Sequence, residues 1–133
     1  MRPEMQTILV VEDEADVREI ATRIMERRGY HVLAAVDGVD AIRILEASPR
    51  RIDLLVSDIV MPRASGPVVA ARLRELVPDL KILFITGYSK EMLSGYDASL
   101  GSTLPKPFTA EQIGKKVREV LDSGKVLPSA AQN

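Results

Sequence analysis

Five times along this chain a short run rich in β-branched and aliphatic residues gives way to a stretch of helical periodicity. Few folds accept that order. The first run, Thr7-Ile8-Leu9-Val10-Val11, reads as a buried strand. Val17, Ile20, Ala21 and Ile24 then recur at helical spacing as far as Arg28, and Gly29 supplies a stop. Tyr30 to Val36 is a second strand, within which His31, lacking any partner motif, is a structural residue. Asp37 caps a helix with Ala41, Ile42 and Leu45 inward, ended near Ser48-Pro49. The third strand opens at Ile52 and runs through Leu54-Leu55-Val56-Ser57-Asp58. Ser65, Gly66 and Pro67 begin a helix whose inward face is Val69, Leu73, Leu76 and Val77, and Pro78 closes it. Leu80 to Ile85 is the fourth strand. The segment Ser89 to Leu100 is the least regular, with space for a short helix around Lys90 to Leu93 before Gly95 interrupts. Ser102-Thr103-Leu104 is a short fifth strand. Thr109 and Gln112 form a capping box for a last helix, with Ile113, Val117, Val120 and Leu121 inward and Gly124 at its end.

Alternation of this kind gives a parallel sheet covered by helices on both faces, a doubly wound α/β fold. The 133 residues suit one domain around one core. With no cysteine, disulfides and thiolate or zinc-thiolate chemistry are excluded. A net charge of -1 gives no general attraction to nucleic acid or to an anionic membrane. No apolar run approaches the roughly 18 residues needed to span a bilayer. Met1 to Gln6 lacks the apolar core of a signal peptide, so a cytoplasmic location is expected. Residues 1–125 are read as the folded domain, and residues 126–133, small and polar, as a disordered tail or linker remnant.

In doubly wound sheets, ligands bind beyond the C-terminal ends of the strands. The polar groups at those ends are Glu12 and Asp13 after strand one, Asp58 on strand three, Thr86 on strand four and Lys106 after strand five. Taken alone, Asp58 is a turn-former and Glu12-Asp13-Glu14 a solvated turn. Together they make one polar edge. Carboxylates brought close repel one another and favour a hard cation such as Mg²⁺. A carboxylate beside Mg²⁺ and an ammonium can attack a phosphoryl group, and Thr86 offers a hydroxyl to the product. Glu14, at the start of the first helix, is expected to face solvent.

Glu12-Asp13, Asp58 followed by Met61-Pro62 and Gly66, Thr86-Gly87, and Lys106-Pro107-Phe108 stand in an order and spacing that resembles a receiver domain of two-component signalling, over Thr7 to Ser123. Within that family the chain is most similar to receivers at the C-terminal end of hybrid sensor histidine kinases. The resemblance implies a flavodoxin-like receiver fold: a five-stranded parallel sheet of order 2-1-3-4-5 and five helices, the fourth short or irregular. It implies Asp58 as phosphoacceptor, supplied by a histidine of a kinase or phosphotransfer protein. It implies Asp13, Asp58 and the Val60 backbone carbonyl as Mg²⁺ ligands, with Glu12 acting through water. Thr86 and Lys106 would sense the phosphate, and a cis bond before Pro107 would orient the ammonium. Receivers usually carry a rotating aromatic where this chain has Thr103. Tyr88 is either its substitute in the switch or a half-exposed loop residue.

A phosphoacceptor is not itself an enzyme. Two other functions compete: a receiver-like module that signals without phosphate, and a phosphohydrolase with an Asp nucleophile. The first is normally marked by loss of an acid, the Thr or the Lys, all present here. The second needs an acid two residues after the nucleophile, where this chain has Val60.

Overall fold

A computed structural model of the chain describes residues 6–47, 52–59, 66–87 and 101–123. The elements follow as β1 (Thr7–Val11), α1 (Ala15–Arg27), β2 (His31–Ala35), α2 (Gly38–Ala47), β3 (Leu54–Asp58), α3 (Gly66–Leu76), β4 (Lys81–Thr86), β5 (Ser102–Pro105) and α4 (Ala110–Ser123). All strand pairs are parallel, in the order β2-β1-β3-β4-β5. The order and direction match the expected receiver sheet. The expected short helix near Lys90, the Ser65 cap and Gly124 lie outside the described residues, among which four helices are seen.

Strand pleat divides the core in two. Leu9, Val11, Leu55, Ile82 and Phe84 face the layer that holds α2 and α3. Ile8, Val10, Leu54, Val56, Leu83 and Ile85 face α1 and α4. The three central strands are buried along both faces, as continuous apolar runs require.

Local chemistry sets the helix ends. The Asp37 carboxylate accepts the Asp40 N–H at 2.9 Å, capping α2. Gly29 has φ 97°, which suits glycine at the exit from α1. The Thr109 hydroxyl accepts from the Gln112 N–H at 3.0 Å, while the Gln112 side chain accepts from the Thr109 N–H at 2.9 Å. That is the expected capping box.

Two residues of the apolar periodicities fall off the covered helix faces, Leu76 against expectation. Ile20 is 53% exposed and Leu76 is 49% exposed. On α1 the buried line runs through Ala21 and Met25, and Ile20 lies about 100° round the helix from Ala21. On α3 fully buried Ala70 shifts the covered face away from Leu76.

Candidate functional site

The C-terminal ends of β1, β3 and β4 bring their last polar residues to one edge of the sheet. Glu12 follows β1 directly, and its N–H donates to the Ala35 carbonyl at 3.1 Å, so the β1–β2 ladder continues one residue past the strand. The Glu12 side chain is fully buried. Asp58 ends β3, pairs in register with Ile85 and is 6% exposed. Thr86 ends β4 and is 3% exposed. Its carbonyl accepts the Lys106 N–H at 2.7 Å, which ties the residue after β5 to the end of β4. The Lys106–Pro107 bond is cis, as expected.

Lys106 reaches back across this edge. Its Nζ lies 2.9 Å from Asp58 Oδ2, 3.2 Å from Glu14 Oε1 and 3.3 Å from Glu12 Oε1. Burial works against the ammonium. The hydrogen bond to Asp58, the charge on Glu12 and the hydrogen bond to Glu14 outweigh it and raise the Lys106 pKa above the ordinary lysine range. Glu12 is the strained member of the group. Burial pushes its carboxyl up to about 7 from an ordinary 4.5, opposed by the Glu14 N–H and reinforced by the Asp58 charge. Its Oε2 accepts that N–H at 3.2 Å, while Oε1, though near Lys106, accepts no hydrogen bond.

The chemistry of these donors fits a hard divalent cation. Carboxylate oxygens of Glu12, Glu14 and Asp58 lie within 4.8 Å of one another, and one of them is buried and lacks a hydrogen bond. Membership of that group differs from the sequence expectation. Asp13 is exposed and stands outside it, whereas Glu14, exposed as expected, also brings a carboxylate oxygen to 3.2 Å from Lys106 Nζ. Nothing local in the sequence signals this contact, because the two residues are 92 positions apart and meet only through the topology. Thr103 is exposed on the edge strand β5, in register with Phe84. Val60 and Tyr88 lie outside the described residues.

Gly66 makes the strand end possible. Its N–H donates to the Ile59 carbonyl at 2.7 Å, and a Cβ at this position would overlap the Asp58 backbone oxygen. Only backbone lies in the way, so a side chain here has to push the loop carrying Asp58. Gly66→Ala is expected to cost about 1–3 kcal/mol in urea unfolding and to shift the amide signals of Asp58 and Ile59. Unchanged stability and unchanged signals would mean that the turn accommodates a methyl group freely.

The sequence matches the family described as response regulator receiver domain over residues 8–118. It is similar to the sensor kinase CckA of Brucella abortus (strain 2308), with 40% identity over 119 residues that span 87% of this chain but 12% of that protein. The response regulator receiver protein CpdR of the same organism is 37% identical over 119 residues, covering 88% of this chain and 98% of that protein. Among solved structures, the response regulator TrrA of Thermotoga maritima, crystallised in complex with Mg²⁺ and BeF, aligns with a TM-score of 0.76. The two are 31% identical, and the alignment covers 87% of this chain and 99% of that one.

Proposed function

This chain belongs to the response regulator receiver family of two-component signalling, and from that premise we propose that Asp58 is its phosphoacceptor, charged by a histidine of a sensor kinase or phosphotransfer protein. The observation that carries the reading is the 2.9 Å contact between Lys106 Nζ and Asp58 Oδ2 at the end of a buried strand, beside a second buried acid. A carboxylate so placed is a nucleophile with a cation already beside it.

In the transfer, a carboxylate oxygen of Asp58 attacks phosphorus in line with the bond to the donor. That bond breaks and the donor leaves with its electron pair. Lys106 offsets charge on the phosphoryl oxygens, as a point charge on a flexible arm suits. The Thr86 hydroxyl donates to the attached phosphoryl group. Asp13, Asp58 and the Val60 carbonyl would hold Mg²⁺, with Glu12 acting through water; the ion would supply further charge neutralisation. Pro107 fixes the approach of Lys106. Tyr88 and the segment after it, rather than Thr103, carry the switch, since Thr103 has no aromatic ring to rotate.

The domain spans residues 1–125 and acts as a relay or switch module rather than as an enzyme. A cytoplasmic place suits a partner that is a kinase or phosphotransfer protein, with no nucleic acid or membrane surface needed. Among the described residues, no helix is long and apolar enough to cross a membrane.

Incubation with acetyl phosphate and Mg²⁺ is expected to add one phosphoryl mass to the intact protein, and chelator is expected to prevent it. An adduct that forms equally well in chelator would remove the metal from the reaction.

A further inference from the structure

Glu14 is the one acid at this edge to which the family resemblance gives no part, and its geometry asks for one. It precedes α1 with extended backbone angles, φ -84° and ψ 117°, and makes no side-chain capping bond to its own helix. A carboxylate at a helix N-terminus is normally drawn to the free N–H groups there. Here it goes instead to Lys106, at 3.2 Å. The three acids around that ammonium differ in access: the side chains of Glu12, Asp58 and Glu14 are 0%, 9% and 61% exposed. Among the described residues, Glu14 is therefore the acid that meets Lys106 from the solvent side.

We propose that Glu14 is a positioning residue for phosphoryl transfer: it holds Lys106 at the mouth of the site and competes with the incoming phosphoryl group for that ammonium. The proposal rests on Asp58 being the phosphoacceptor. A donor such as acetyl phosphate brings its negative charge to within a few ångströms of Glu14, and Lys106 has to exchange one anion for the other. Glu14 thus sets an electrostatic threshold on charging Asp58. Because Glu14 is largely exposed, the threshold is screened by salt.

The test compares the rate of Asp58 phosphorylation by acetyl phosphate, followed by intact mass at saturating Mg²⁺, in wild type, Glu14→Gln and Asp16→Asn. Asp16→Asn removes the same charge from the first turn of the same helix. Mg²⁺ affinity is measured separately by amide-signal titration. Glu14→Gln is expected to react roughly three- to tenfold faster at low salt, the size of a charge interaction at this range in a watery setting. The gain should shrink below about twofold at 1 M salt, where the screening length is only about 3 Å. Asp16→Asn should match wild type in rate, and Glu14→Gln should lose less than about tenfold in Mg²⁺ affinity, no more than the removal of one nearby charge accounts for.

A Glu14→Gln rate equal to or below wild type overturns the proposal, as does a gain that survives high salt. An equal gain in Asp16→Asn reduces the effect to net charge and overturns it too. A tenfold loss of Mg²⁺ affinity in Glu14→Gln makes Glu14 a metal ligand instead. No adduct on wild type overturns the phosphoacceptor reading and this inference with it, whereas equal rates on proteins that do react overturn the role of Glu14 alone.

Discussion

Asp58→Ala is expected to gain no phosphoryl mass under conditions that add one to the wild-type protein. The loss should be complete rather than partial, because the attacking oxygen itself is removed. Neighbouring acids are poor replacements. Glu12 is buried and its carboxyl is held up to about 7, so much of it is protonated at neutral pH and weakly nucleophilic. The same position has a thermal signature. Three carboxylates share one ammonium, a local charge of -2 when all are ionised. Asp58→Asn lowers that to -1, so in chelator this variant is expected to melt at or above wild type. An adduct that survives in Asp58→Ala would move the phosphoacceptor elsewhere. A clear drop in melting temperature for Asp58→Asn would make Asp58 a structural partner of Lys106.

Raising the pH from 5 to 8 in chelator is expected to destabilise the protein through Glu12, by on the order of 3 kcal/mol. The folded carboxyl titrates at about 7 and the unfolded one near 4.5. Between those values the folded state keeps a proton that the unfolded state has released. Stability therefore falls as pH rises through that window, and the penalty is complete above about 7. Burial is the main cause, since the fully buried side chain gives up hydration that one N–H bond and the Lys106 charge do not replace. Glu12→Gln should melt several degrees above wild type at pH 8 and close to it at pH 5. Saturating Mg²⁺ should narrow the difference at pH 8, because a cation favours the ionised acid. A wild-type slope retained in Glu12→Gln would place the titration on another group.

What could be read from sequence follows the range of the physics involved. The buried strands were legible because both faces of a central parallel strand demand apolar residues, so β1, β3 and β4 stand out as unbroken runs. Caps were legible for the same local reason: Asp37 with Asp40, and Thr109 with Gln112, act within one helical turn. Ile20 and Leu76 were not, because periodicity gives the direction of a helix face but not how far its neighbours extend over it. The edge set of Glu12, Asp58, Thr86 and Lys106 was foreseeable from strand ends plus topology. Which of Asp13 and Glu14 meets Lys106 was not, since both leave β1 within two residues of Glu12, and the outcome depends on a lysine delivered by β5.

Arg118 adds something that concerns the first and last described elements of the fold. Its guanidinium donates to the Gln6 side chain at 3.1 Å and to the Tyr30 hydroxyl at 3.1 Å, while Asp122 of its own helix holds it from the other side. Gln6 enters β1 and Asp122 lies in the last turn of α4, so entry and exit are neighbours at the foot of the sheet. The acidic edge is a full strand away, roughly 15 Å at about 3.3 Å per residue. Residues 6 and 122 therefore lie at the opposite end of the sheet from Asp58. A plug with both leads on one side can be wired into circuits of very different size. The matched segment is 12% of one relative's length and 98% of another's.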